Sequence, residues 1–157
     1  MPLPHAISAL PADVVAQLQA AGLRATRPRL LVLRAFQERA AQHLSAEAIV
    51  LALRAQATPL PRASVYNSIS ALVAHGLLMV TDVGPGRTLY EYMAHWHHHF
   101  ICQQCGVILD VPCVVGASPC LLPDQIDAEV SSAQVIFRGL CRACVLANTS
   151  AAPLSQP

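Results

Sequence analysis

The chain has 157 residues, of which 54% are hydrophobic and 12% charged, with a formal net charge of +1. This apolar fraction excludes a largely disordered chain, and the length suits one large domain or two small ones. No apolar run approaches the roughly 18 to 20 residues of a membrane-spanning helix, and the N-terminal stretch lacks the basic start and apolar block of a secretory signal. We therefore expect a cytoplasmic protein with no membrane partner and with reduced cysteines.

Four helices are predicted in the first half of the chain. Apolar residues recur at helical spacing, with Ser45 as an N-cap and with Gly22 and Gly76 as stop signals. The predicted helices cover residues 12–21, residues 27–40 after the N-cap Thr26, a third stretch that starts after Ser45, and residues 63–75.

A β-hairpin is predicted directly after the fourth helix. The β-prone runs 77–81 and 88–93 flank a turn at Gly84-Pro85-Gly86. Helices followed by a hairpin are the pattern of a winged helix-turn-helix, in which the helix at 63–75 would enter the DNA major groove. Apolar periodicity alone does not identify this fold, because many small helical domains share it.

The second half reads as short strands, predicted at 98–101, 107–111 and 133–138, with a helical turn near 123–131. Residues 149–157 are small and polar and end in proline, so a disordered tail is expected there. The expected fold class is α+β. The expected domains are a winged-helix DNA-binding domain at 1–93, a small α/β metal-binding dimerisation domain at 94–148, and the tail.

Two CxxC pairs carry the strongest chemical signal. They are Cys102 with Cys105, followed by Gly106, and Cys141 with Cys144. Two residues between thiolates let both sulfurs face one ion, so the two pairs predict a closed, tetrahedral and structural zinc site. The other readings are a thioredoxin-type redox pair or buried free thiols, which are less typical of two such pairs in a reduced protein.

A second set of metal-binding side chains surrounds the first pair. His97 and His99 are two apart on a predicted strand and share one face, while His98 points to the other. Glu91 and Asp110 lie on neighbouring strands. Imidazole and carboxylate together suit Fe(II), Mn(II), Zn(II) or Ni(II). By spacing alone, a polar surface run explains the histidines equally well.

Charge is unevenly distributed along the chain. Up to Asp82, arginines outnumber acidic residues by seven to four; beyond it, acidic residues outnumber arginines by five to three. The split indicates a first half that faces nucleic acid, although ordinary surface charge would also produce it.

A resemblance to the ferric uptake regulator (Fur) superfamily covers most of the chain from residue 21 to residue 144. It is carried by GLRATRPR, HLSAEAI, RASVYNSISALVAHGLL, YEY, HHHFICQQCG, Asp110 and GLCRAC. The resemblance implies a homodimeric, metal-responsive transcription factor, usually a repressor, with an N-terminal winged helix and a C-terminal dimerisation domain. It is not expected to be an enzyme.

The same resemblance implies residue roles. The four cysteines fall on the family's structural zinc site. The sensory metal site, between the two domains of the family, falls on His43, Glu91, His97, His99 and Asp110.

The resemblance also implies DNA contacts. Family members usually carry Thr-Val-Tyr-Arg in the recognition helix, and this chain has Ser64-Val65-Tyr66-Asn67, whose asparagine is similar to peroxide-sensing members. Tyr66 would pack on thymine methyls or the backbone, and Arg24 would reach the minor groove. The implied DNA-binding set is Arg24, Arg62, Ser64, Tyr66 and Asn67, and the implied partner is a palindromic, AT-rich operator. A core role for Tyr66 and a solvated Arg62 are the alternatives.

The regulatory ion is expected to be Fe(II) or Mn(II), beside a structural Zn(II). A zinc-uptake regulator is the main alternative, although such members usually add a cysteine to the sensory set. A peroxide sensor that uses bound Fe(II) is another, but that branch generally has aspartate at the position of Glu91. No HExxH motif of a zinc hydrolase is present.

Overall fold

The computed structural model describes residues 12–40, 42–84, 86–115, 121, 125–130 and 133–150. The chain divides into two compact units, Met1–Ala94 and His95–Pro157. Helices and sheets occur in both, which confirms the α+β class. None of the helices in the described ranges is long and apolar enough to cross a membrane.

The first unit begins with four helices. They are α1 (Ala12–Ala20), α2 (Arg27–Gln37), α3 (Ala46–Ala55) and α4 (Arg62–Ala74). Their ends follow local chemistry: the Ser45 hydroxyl accepts a hydrogen bond from Ala48 N–H at the start of α3. Gly22 and Gly76 adopt φ of +74° and +70°, a conformation that terminates α1 and α4.

One apolar stripe of each helix faces a common core. Phe36 of α2, Leu53 of α3 and Leu72 of α4 are fully buried in it, and Leu78 of the following strand joins them. The core positions recur three or four residues apart along each helix, as the sequence pattern predicts. Helix α4 is therefore held by its apolar side, which leaves its other side at the surface.

A hairpin completes the first unit. Strands β1 (Leu78–Gly84) and β2 (Arg87–Tyr92) pair antiparallel, and Gly86 has φ of +70° in the turn. Four helices followed by this hairpin form the predicted winged helix. One isolated bridge, Leu44 with Tyr90, ties β2 to the segment before α3.

The second unit is a three-stranded sheet and a helix. Strands β3 (His97–Cys102), β4 (Ile108–Pro112) and β5 (Ile136–Gly139) are arranged in the order β4-β3-β5, and α5 (Arg142–Ser150) follows. β3 pairs antiparallel with β4 and parallel with β5. The central strand β3 thus carries both the histidines and the first CxxC cysteine.

Two expectations for this unit are corrected. Of the helical turn predicted near 123–131, residues 125–130 are irregular, and Gln125 has φ of +59°, a left-handed conformation that a right-handed helix does not contain. The tail expected from Thr149 is helical through Ser150, the end of α5. The remaining residues of both segments, and of the tail to residue 157, lie outside the described ranges.

Candidate metal centres and nucleic-acid interface

The four CxxC cysteines converge in the second unit. Cys102 is the last residue of β3, and Cys105 lies in the turn after it. Cys141 immediately precedes α5, and Cys144 lies in the first turn of that helix. β5 pairs parallel with β3, so the chain leaves β5 at the end of β3 where Cys102 lies. This pairing delivers the second CxxC to the first across about forty residues of sequence.

The sulfur spacing matches a tetrahedral zinc site. Cys102 Sγ lies 3.8 Å from Cys144 Sγ, and Cys105 Sγ lies 3.7 Å from Cys141 Sγ. Four sulfurs at ~2.3 Å from one zinc ion would be ~3.8 Å apart along each tetrahedral edge. A disulfide would require about 2.05 Å. The cluster therefore fits an ion and not a pair of disulfides.

Hydrogen bonds prepare one sulfur to carry charge. The backbone N–H groups of Cys105 and Cys141 donate to Cys102 Sγ and lower the pKa of the Cys102 thiol to about 6. The pKa of Cys144 is raised to about 12, first by its hydrogen bond with Cys141 and then by burial. Cys102 is thus predisposed to become a thiolate, whereas an ion bound by four thiolates must displace the proton of Cys144.

The hydrophobic core of the second unit is too small to stabilise it strongly by itself. Among the described residues of this unit, only three apolar side chains are buried: Ile101, Cys102 and Cys144. A core this small stabilises a fold weakly unless a metal or a partner adds to it.

In the first unit, His43 and Glu91 form a buried pair. The antiparallel bridge between Leu44 and Tyr90 places their outer neighbours, His43 and Glu91, opposite each other. His43 Nε2 lies 3.3 Å from Glu91 Oε2, with side-chain exposures of 8% and 2%. Burial of a carboxylate is costly unless a cation compensates its charge. The pair offers one nitrogen ligand from the segment before α3 and one oxygen ligand from β2.

In the second unit, strand register gathers three further donors. His97 and His99 share a face of β3, and Asp110 is the β4 residue paired with His99. The two imidazole rings meet edge to face with centroids 4.8 Å apart. One ligand atom from each of the three residues lies within 4.8 Å of the others. His98 points to the opposite face and contacts the edge of Trp96.

The tautomer of His97 is fixed by the backbone. Its Nδ1 lies 2.9 Å from the carbonyl oxygen of His95. Because a carbonyl only accepts, Nδ1 carries the hydrogen, and the neutral ring keeps its lone pair on Nε2. That atom faces Asp110, with Oδ1 3.8 Å away. The hydrogen bond from Nδ1 to the His95 carbonyl oxygen therefore leaves Nε2 available as a metal ligand.

A cavity of about 540 Å³ adjoins this group. Its lining consists of His95, Trp96, His97, Asp110, Pro112 and Cys113. Cys113, which spacing could not connect to any site, is brought there because Pro112, the residue before it, pairs with His97 in the sheet register. Cys120 lies outside the described residues.

The predicted DNA-binding residues lie on one helix and one loop of the first unit. Tyr66 is 43% exposed, so the core reading of its ring is excluded. Asn67 is exposed and Ser64 half-buried, and both line a cleft of about 230 Å³. Arg24 is exposed in the α1–α2 loop and lines a separate surface cavity of about 530 Å³.

Arg62, at the first position of α4, is not simply solvated. Its Nη2 lies 2.8 Å from Glu47 Oε2, and its Nη1 lies 3.3 Å from Glu47 Oε1. The guanidinium and the carboxylate therefore meet at two points, between the start of α4 and the first turn of α3.

Comparison with known proteins decides the family. The model of the ferric uptake regulator family matches residues 20–113. The chain is also 39% identical over 148 residues to the transcriptional regulator FurA of Mycobacterium tuberculosis, covering 92% of this chain and 97% of FurA. The chain belongs to the ferric uptake regulator family.

Solved structures of this family share the fold. The ferric uptake regulator from Pseudomonas aeruginosa with manganese superposes with a TM-score of 0.62 at 21% identity, over 81% of this chain and 96% of that one. A zinc uptake regulator complexed with zinc and DNA superposes with a TM-score of 0.60 at 20% identity, over 94% and 99%. At these identities the likeness concerns the fold, including the winged helix expected from the sequence.

In this ferric uptake regulator family member, three residues near the expected DNA-binding set were not predicted from the sequence to lie there. Arg29 and Thr26 line the same cleft as Ser64 and Asn67, at the start of α2. Their spacing of three residues at the N-terminus of a helix could have indicated that the two side chains lie close together. Glu47 gave no such signal, because its pairing with Arg62 spans fifteen residues and depends on how α3 packs against α4.

Proposed function

We propose that this protein is a homodimeric transcriptional regulator of metal-homeostasis or oxidative-stress genes, not an enzyme, that acts in the cytoplasm and usually represses. Zinc at Cys102, Cys105, Cys141 and Cys144 would hold the second unit together. The observation that supports this role most directly is the sulfur spacing of 3.7–3.8 Å, which is the edge length of a zinc tetrahedron.

A second, exchangeable ion would be bound by the His43–Glu91 pair of the first unit together with His97, His99 and Asp110 of the second. Both groups consist of imidazole and carboxylate, and Glu91 and His97 are only six residues apart, a span of at most about 20 Å. When bound, the ion would supply the positive charge that the two carboxylates require.

The donor set favours Fe(II) or Mn(II). Two carboxylates make it harder than the four-thiolate cluster, and harder ligands suit these ions. Because the donors come from both units, joint ligation would favour the arrangement that binds DNA. To raise the population of that arrangement from about 1% to 99%, the ion must bind it more favourably than the other arrangement by ~5.5 kcal/mol.

Dimerisation would use the sheet of the second unit. Phe100 of β3 pairs with Leu109 of β4 and with Phe137 of β5, so the three side chains form a row across one face. Leu109 and Phe137 are each 47% exposed. An exposed apolar row on a unit with so small a core is typical of a protein interface.

DNA recognition would use α4 in the major groove. Asn67 is suited to adenine and Tyr66 to thymine methyls, while Ser64 and Arg62 would contact phosphates at the start of the helix. Arg24 would enter a narrow, AT-rich minor groove. A second copy related by twofold symmetry would read the other half of a palindromic operator.

Anaerobic purification with metal analysis, followed by DNA binding, tests this function. A pool of random duplexes is put through rounds of selection with the Mn(II)-loaded protein, and anisotropy is then measured with Mn(II), Fe(II), Zn(II) or chelator. We expect one tightly held zinc per chain and tighter binding to the selected palindrome with Mn(II) or Fe(II). Affinity that does not depend on added metal would contradict the sensory role.

The cavity beside His97 favours a second candidate, a zinc-uptake regulator. Cys113 lines that cavity, and a thiolate is the ligand that a zinc-selective site would add. Cys113→Ser separates the two: an Fe(II) or Mn(II) regulator keeps its metal response, whereas a zinc regulator loses its response to Zn(II).

A further inference from the structure

We propose that Glu47 restrains Arg62 and thereby sets the DNA affinity of the recognition helix. The inference rests on the proposed function, since it concerns the same DNA-binding surface. It adds a residue whose role is to limit binding: Glu47 holds the guanidinium that a DNA phosphate would otherwise engage.

The geometry of the pair carries this inference. Glu47 contacts Arg62 through both carboxylate oxygens, at 2.8 and 3.3 Å, and so engages one N–H of each Nη group. A phosphate bound in the same forked manner would need those N–H groups. The pair must open, or the carboxylate must lie beside a phosphate and repel it. Both routes lower the affinity for DNA.

The exposure of the pair determines the size of the effect. The side chains of Arg62 and Glu47 are 60% and 42% exposed, so water and salt screen their attraction. A DNA phosphate can therefore displace the Glu47 carboxylate from Arg62, so the pair weakens phosphate binding without preventing it. Because a phosphate contact carries no sequence information, the restraint would weaken binding to random DNA at least as much as binding to an operator.

A matched pair of charge-neutralising variants tests this. Glu47→Gln should tighten binding to a labelled random-sequence duplex by about two- to fivefold, the range expected for one exposed ion pair. It should also steepen the dependence of log affinity on log salt by about one phosphate contact. Glu38→Gln is the control, because Glu38 pairs with Arg34 and Arg39 at the far end of α2, ~16 Å along the axis from its start.

The Arg62→Ala background separates restraint from simple removal of negative charge. If Glu47→Gln tightens binding by at least about twofold more in the native background than beside Arg62→Ala, the inference holds. An equal effect in both backgrounds would show that charge alone matters, and it would overturn the inference. Unchanged or weaker binding by Glu47→Gln would do the same. Failure of every variant to bind DNA would instead overturn the proposed function.

Discussion

Leu44 and Tyr90 exchange two backbone hydrogen bonds, one in each direction, both 2.8 Å long. This isolated bridge joins the segment before α3 to strand β2 and sets His43 opposite Glu91. Neither half of the pair would reach the other without it, because 48 residues of chain separate them. A loop-to-strand bridge thus creates the His43–Glu91 pair, the part of the first unit that we propose to bind metal.

Removal of either member of this pair should weaken the exchangeable site. We expect His43→Ala and Glu91→Gln each to lower Mn(II) affinity by at least about tenfold, since even changes outside the ligand shell cost that much. Calorimetric titration of the zinc-loaded protein measures this. His75→Ala is the control, because the His75 ring is bonded to Ala21 O. If both variants bind Mn(II) as tightly as the unmodified protein, His43 and Glu91 are not ligands of the exchangeable ion.

The cysteine cluster should behave as a structural element. We expect Cys102→Ser to lose zinc and to unfold the second unit, because that unit buries few apolar side chains and a closed thiolate site contributes folding energy outright. Zinc content and thermal unfolding by circular dichroism measure the loss. Cys113→Ser makes the same replacement of sulfur by oxygen at a cysteine outside the cluster, so this variant should retain zinc. A stable, dimeric Cys102→Ser protein would refute the structural assignment.

The sequence predicted the parts of the fold that depend on local chemistry. Ser45, Gly22 and Gly76 mark helix ends through capping and positive φ, and these operate within one turn of helix. The two CxxC pairs could be assigned to one ion by spacing and ligand type. Strand parity also placed His97 and His99 on one face, as the register shows.

What escaped prediction depends on contacts distant in sequence. The parallel pairing of β3 with β5 and the bridge at Leu44 join segments that no local pattern connects. Helix α5 has weak helix formers near its end, so the sequence did not indicate it. Its Asn148 side chain bonds to Gln104, which lies within the first CxxC. Tertiary contacts around the cysteines therefore support a helix that its own sequence does not favour.

The apolar row on the second sheet should mediate dimerisation. We expect Phe137→Arg to yield monomers by sedimentation analysis, because a charge buried in this apolar interface would lose its solvation without a partner. DNA binding to a palindrome should fall with it, since two half-sites need two linked recognition helices. Leu51→Arg alters another exposed apolar residue, 56% exposed on α3, and should leave the dimer intact. If Phe137→Arg stays dimeric, the interface lies elsewhere.

Adjacent histidines on β3 provide the sharpest test of the exchangeable site. His97 presents Nε2 towards Asp110, because its Nδ1–H is bonded to His95 O, whereas His98 lies on the opposite face against Trp96. We expect His97→Ala to abolish the Mn(II)-dependent gain in DNA affinity while zinc content and unfolding temperature stay close to native. His98→Ala should do the reverse: loss of a buried ring lowers the unfolding temperature, yet the Mn(II) response persists. These neighbours share a side-chain type but lie on opposite faces of β3. Equal loss of the metal response in both variants would show that the response follows the stability of β3 and not a ligand on one face of it.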